Sequence, residues 1–326
     1  MRRPGKINWQ RYPQFIIFAT VFLYPCWLFA GQDGRTMQVG NIRIQYDLTE
    51  EENALKVASI LQTVLPRMEQ FYSTDLPRGV RIVIVSDEEM FFTIIGHRLP
   101  AWVGAVYIPD QKTILLKSPR WKGTLFDMRK SLVHELSHAY FHERFSRQSL
   151  PLWFNEGLAE LISEGGISMD AGIELAKAIW FRHLVSLADI DSLFQFSAPR
   201  AQLAYIESLS AMVFIQEQLP NGDSWPDFLS HVATFGLENT LKNRFGWDLI
   251  DFEIKWYNWL RHKYRWFILL NFDYFIWLLL IVIFMLAVVR RYLMNRKRLR
   301  QWEREEQWLF GDSEYYPNDP EGFDKR

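Results

Sequence analysis

Residues 274–289 read YFIWLLLIVIFMLAVV without a charge, and residues 266–272 extend the run upstream with only Asn271 polar, Asp273 interrupting the join. About 18 to 22 helical residues at about 1.5 Å each cover most of a hydrocarbon core roughly 30 Å thick. Arg290, Arg291, Arg296, Lys297, Arg298 and Arg300 follow at once, a flank of the kind that stays on the cytoplasmic side. Lys255, Arg261, Lys263 and Arg265 precede the run, so the bias is real but partial. Soluble core helices seldom hold so long an uncharged stretch. The pattern predicts one transmembrane helix over 266–289 and a basic, polar tail over 290–326, mobile from Gln301 on.

A second uncharged stretch, residues 15–30, follows Arg2, Arg3, Lys6 and Arg11. That order of charge, apolar run and small residues describes a secretory signal peptide, while Leu28 is large for a cleavage site and suits an uncleaved anchor equally. Residues 1–31 are one or the other. Either reading exports residues 32–265. Cys26, the sole cysteine, follows Pro25 where lipid attachment wants a small residue, and it excludes intrachain disulfides and cysteine-built metal sites. With 37 basic against 38 acidic residues, the net charge of −1 offers nothing global to attract phosphates, which argues against a nucleic-acid partner. The 16% of aromatic residues fits a chain that meets a bilayer interface.

Within the exported region strands come first and helices later. Residues 39–46 alternate apolar and polar as a half-buried strand, and residues 80–85 (VRIVIV) suit a central one. A helix is expected from the Thr49-Glu50-Glu51-Glu52 start to about Tyr72. Residues 102–108 and 113–117 flank Pro109-Asp110-Gln111-Lys112 as a hairpin. Helical spacing then dominates residues 124–145, 152–163, 170–187, 202–218 and 225–235. The expected class is α+β, with an antiparallel or mixed N-terminal sheet and a helical C-terminal half.

The chemistry is concentrated in Ser131-Leu-Val-His134-Glu135-Leu-Ser-His138. Two histidines four apart on a helix project from one face about 6 Å along the axis, which lets both imidazoles reach one Zn²⁺. Glu135 lies about 100° round the axis, able to reach a metal-bound water as general base. A catalytic zinc also needs a third protein ligand and an open position. Downstream stands Pro151-Leu-Trp-Phe-Asn155-Glu156-Gly157-Leu-Ala-Glu160, in which Glu156 follows His138 by 18 residues and Glu160 lies one helical turn further on the same face. A carboxylate there can orient a ligand imidazole through its second N–H. His142 continues the spacing but points past such a metal, and His97, His183, His231 and His262 stand alone.

HELSH followed by LPLWFNEGLAE resembles the gluzincins, and among them the peptidase MA-like domains, over roughly residues 81–261. The resemblance implies a zincin-like, thermolysin-type fold, Zn²⁺ as cofactor, a peptide or protein substrate and a bacterial inner-membrane setting. It makes Glu156 the third ligand beside His134 and His138, with Glu160 as the acid behind them. It also implies that Tyr205, in Tyr205-Ile-Glu-Ser208, stabilises an oxyanion, that the strand near residues 102–106 lines the cleft and pairs with an extended peptide, and that residues 241–260 close the domain as its last helix. The leading expectation is a membrane-anchored zinc metallopeptidase; the alternative is a zinc-bearing, non-proteolytic assembly module on the membrane. An intramembrane protease is disfavoured, because Asp127, Arg129 and Lys130 share a helix with His134.

Overall fold

A tight hairpin opens the fold: β1 (Gly34–Val39) and β2 (Ile42–Asp47) pair antiparallel, Val39 opposite Ile42. The single strand expected over 39–46 is therefore two, turned at Gly40-Asn41. Gly40 takes φ +56°, the positive value such two-residue turns need. The computed structural model describes residues 34–96, 103–121, 127–220, 222–270 and 272–310. The N-terminal segment 1–31, His97, Trp102 and the tail beyond 310 lie outside the described residues.

Along β2, Ile42, Ile44 and Tyr46 are buried and alternate with accessible residues, the period of a strand with one face in a core. Helix α1 (Glu51–Tyr72) crosses over to β3 (Arg81–Val85), which runs parallel to β2. Strand β5 (Thr113–Lys117) joins β3 in parallel, and β4 (Ala105–Ile108) pairs antiparallel with β5 and forms an edge. The mixed sheet has the order β1-β2-β3-β5-β4. Its central strand β3 is apolar on both faces, as the sequence requires, and both faces are used. One carries α1. On the other, Val83, Val85 and Leu115 pack against Phe91 and Ile95 of α2 (Glu88–Ile95). This short helix escapes periodicity because it has only two turns; its start is fixed by the Asp87 side chain accepting from Met90 N at 2.9 Å.

The rest of the first unit is helical: α3 (Met128–Arg144), α4 (Leu152–Glu164), α5 (Met169–Phe181), α6 (Ala198–Gln218), α7 (Trp225–Phe235), α8 (Leu237–Phe245) and α9 (Leu249–Tyr264). The single closing helix expected over 241–260 is broken in two. Gly246 at φ +74° ends α8, and the Asp248 side chain caps α9 by accepting from Asp251 N at 2.7 Å. α3 packs against α1, β4 and α4, and α4 lies along α6. The approach of α4 to α6 is set by Gly157: a Cβ there would stand 2.5 Å from the Ser208 carbonyl oxygen and 2.8 Å from Met212 Cγ. The class is α+β, with the sheet first and the helices after it.

The chain divides at Arg265 into two units. A 3-10 turn over residues 265–270 starts at the boundary, and in the second unit α10 runs unbroken from Phe272 to Phe310, 39 residues. At about 1.5 Å per residue it is roughly 58 Å long. Its apolar side chains from Phe275 to Val289 are exposed, and it is long and apolar enough to cross a membrane. The expected span 266–289 starts in the 3-10 turn, and the helix that carries its apolar run continues through the basic flank. Residues 290–310 contain no Pro or Gly and are rich in Arg, Leu, Gln and Glu, all good helix formers.

Candidate metal centre

α3 begins where the Asp127 side chain accepts from Arg129 N at 2.8 Å and Lys130 N at 3.1 Å. Its buried stripe, Leu132, Val133, Leu136, Ala139 and Tyr140, fixes the roll of the helix. The Tyr72 and Tyr140 rings stack at 5.7 Å, and Tyr72 Oη is 2.6 Å from Ser137 Oγ, which pins that face to α1. With the roll fixed, His134, Glu135 and His138 share the half-buried side that looks toward α4 and β4.

α4 presents Glu156 to both histidines. Its Oε2 is 3.3 Å from His134 Nε2 and 3.6 Å from His138 Nε2, and the two imidazole rings meet edge to face at 4.7 Å. The three ligand atoms lie within 4.8 Å of one another. Glu156 is buried, yet among the described residues Oε2 takes no hydrogen bond, and a buried carboxylate oxygen in that state is costly unless something else satisfies it. Donor atoms about 2.0–2.1 Å from a tetrahedral Zn²⁺ would stand about 3.3–3.4 Å apart. The residues present fit a divalent metal.

The outer nitrogens of both rings are engaged as well. His134 Nδ1 is 3.3 Å from Glu160 Oε1, and His138 Nδ1 is 3.0 Å from Asn155 Oδ1. Each contact turns Nε2 of its ring toward Glu156 and fixes the tautomer a metal needs. Behind Glu160 stands Lys130, 3.6 Å from its Oε2 and also paired with Glu164. Burial opposes a charge on His134, but its close contacts with Glu156 and Glu160, and the charges of both, hold its pKa well above the ordinary imidazole value. Burial likewise pushes Glu160 up, and the His134 contact followed by Lys130 carries it below the usual carboxylate range.

Glu135 reaches from the same side of α3 to the sheet, where its Oε2 accepts from the Tyr107 backbone N–H at 2.6 Å. Tyr107 lies on β4, so the outward N–H of an edge strand holds one carboxylate oxygen. Tyr205 comes in from α6, its ring edge to face with His134 at 6.0 Å. Burial, then the charges of Glu156, Glu135 and Glu160, push its phenol pKa well above 10, so the hydroxyl keeps its proton. The small residue three positions on, Ser208, is the one whose carbonyl Gly157 approaches.

All six residues singled out from the sequence, His134, Glu135, His138, Glu156, Glu160 and Tyr205, are thus brought to one place. His142 is exposed and takes no part in the cluster. Sequence reasoning missed the parts played by Asn155 and Lys130: Asn155 stands directly before Glu156 in the second motif, and Lys130, one turn before His134, counted there only as a charge on the same helix. It also missed the Tyr107 N–H, a main-chain group with no residue signature.

Residues 63–262 match the family of the peptidase MA superfamily. The chain belongs to that superfamily. No curated protein matches it. Among solved structures, an aminopeptidase N family protein from Idiomarina loihiensis aligns at 12% identity with a TM-score of 0.40. The alignment covers 67% of this chain and 45% of that one, so the chain spans less than half the length of that relative. The family match begins inside α1 and ends inside α9, taking in β3 to β5, α2 and every helix that forms the cluster.

Proposed function

We propose that this member of the peptidase MA superfamily is a membrane-anchored zinc metallopeptidase of the gluzincin type, with His134, His138 and Glu156 holding the metal. The reading is supported above all by Glu156 Oε2, buried, without a hydrogen bond among the described residues, and within 3.3 and 3.6 Å of two imidazole nitrogens. When bound, the metal supplies Lewis acidity, polarising the scissile carbonyl and lowering the pKa of a water toward about 7. Glu135 takes the proton from the attacking water and passes it to the amide nitrogen as the C–N bond breaks. With one oxygen fixed by Tyr107 N–H, the other is left for that proton. The Tyr205 hydroxyl donates to the carbonyl oxygen as negative charge grows on it. Glu160 and Asn155 hold the rings in register, and the β4 edge offers main-chain groups to an extended peptide.

The anchor in this reading is α10, with Arg290, Arg291, Arg296, Lys297, Arg298 and Arg300 on the cytoplasmic side of a bacterial inner membrane and residues 32–265 on the other. Zinc content of the detergent-purified full chain, wild type beside His138→Ala and Glu156→Ala, is the test. About one zinc per wild-type chain, lost from both variants, is expected for a three-ligand site. Folded wild type without zinc would remove the peptidase reading. Zinc with no turnover of any peptide would leave a non-proteolytic membrane module.

A further inference from the structure

The first unit carries a cluster of aromatic and basic side chains at the point where the chain leaves it. Trp180 and Phe181 end α5, and both are 55% exposed, unusual for two adjacent large aromatics. The Trp180 indole N–H donates to the carbonyl of Arg265 at 2.7 Å, which ties the end of α5 to the end of α9. Up one side of α9 from Arg265 stand Arg261 and Tyr257, four and eight residues back, with the guanidinium 5.8 Å from the tyrosine ring. Arg182, the exposed residue after Phe181, completes the set.

Residues 266–271 alone separate Arg265 from α10. Fully extended, they bridge no more than about 25 Å. If α10 crosses a bilayer, its uncharged run starts at Tyr274, so this end of the domain is tethered at about headgroup depth. Tryptophan, phenylalanine and tyrosine beside arginines are what that layer favours: rings settle between headgroup and acyl chain, and guanidinium groups meet phosphate. We infer that the α5–α9 end, through Trp180, Phe181, Tyr257, Arg182, Arg261 and Arg265, docks on the phospholipid headgroup layer of the membrane that α10 crosses. The domain is then seated on the bilayer rather than swinging from it. This rests on the anchor reading, and the experiment separates the two.

In a Cys26→Ser full-length background, single cysteines replace Phe181, Phe284 on α10, and Leu55. Leu55 is 56% exposed on α1, which packs on the sheet. Each is labelled with an environment-sensitive fluorophore and reconstituted into phosphatidylcholine–phosphatidylglycerol vesicles carrying a lipid with a quencher high on its acyl chain. Expected is strong quenching at Phe284→Cys and at Phe181→Cys, the latter several-fold above Leu55→Cys. Quenching at Phe284→Cys with Phe181→Cys no greater than Leu55→Cys would overturn the docking while leaving the anchor. No quenching at Phe284→Cys would overturn both.

Discussion

The two sides of the candidate metal site are built from different parts of the polypeptide. From the helical side, α3 and α4 send in side chains: two imidazoles, three carboxylates, an amide and, behind them, the Lys130 ammonium. From the sheet side, β4 sends a main-chain N–H to Glu135 at 2.6 Å. A side-chain contribution is lost with the residue that makes it. A main-chain contribution survives almost any substitution that leaves the strand in place. The helical side should therefore be intolerant of change and the sheet side tolerant, and substitution can break or sharpen that contrast.

The largest effect is expected at Glu135, where the two sides meet. Glu135→Gln keeps the hydrogen bond to Tyr107 N–H and the fold but cannot take a proton, so peptide turnover should fall by about 10²–10⁴-fold with metal content unchanged. Next come the residues that orient the rings. Glu160→Gln replaces a charged acceptor of His134 by a neutral one and should cost about 10–100-fold in metal affinity, with Asn155→Ala nearer the lower end because it removes a neutral partner of His138. Competition against a zinc chelator reads both. If Asn155→Ala costs more than Glu160→Gln, charge is not what distinguishes the two ring partners.

Packing within the helical side supplies a stability test. Gly157→Ala drives a methyl into the Ser208 carbonyl, backbone that cannot swing away, and should destabilise the fold by about 1–3 kcal/mol. That would lower the melting temperature by about 2–4 °C for each kcal/mol in a domain of this size.

On the same helix as Ser208, Glu207 gives a pH signature. It is fully buried and accepts from Val185 N at 3.0 and 3.2 Å, and burial, opposed by that hydrogen bond, raises its pKa from 4.5 to about 8. The folded state therefore binds this proton more tightly than the unfolded chain does. Its contribution to stability is complete below the unfolded value of 4.5 and is lost as pH rises through about 8. Glu207→Gln keeps an acceptor for Val185 N–H without a titrating group, so denaturant midpoints taken across that window should slope for wild type and flatten for the variant. The smallest effect belongs to the sheet side. Tyr107→Phe leaves the main-chain donor intact and should leave metal content and turnover unchanged, whereas Tyr107→Pro deletes the donor and should cut turnover with zinc retained.

The same contrast decides how much could be read in advance. His134, Glu135 and His138 were legible because helix geometry converts a spacing of four residues into a shared face. Glu156 and Glu160 were legible one turn apart for the same reason, and the uncharged run of α10 announced itself by length. The turn at Gly40-Asn41, the break at Gly246 and the two-turn α2 were not. Each depends on one or two residues whose conformation is chosen by what packs beside them, and short signals lose to longer neighbouring patterns.

The sequence by itself determined the inventory: the imidazoles and carboxylates of the candidate site, the helices that carry them, the α+β order and an apolar helix able to cross a membrane. Only the tertiary structure decided that α4 lies close enough to α6 for a Cβ on Gly157 to be excluded, that Glu156 turns its bare oxygen to both imidazoles, and that an edge strand hands its N–H to Glu135. Helical spacing is a local, covalent regularity and is written in the chain. The meeting of α3, α4, α6 and β4 is set by burial of their apolar faces, a property of the whole core, and no single segment encodes it.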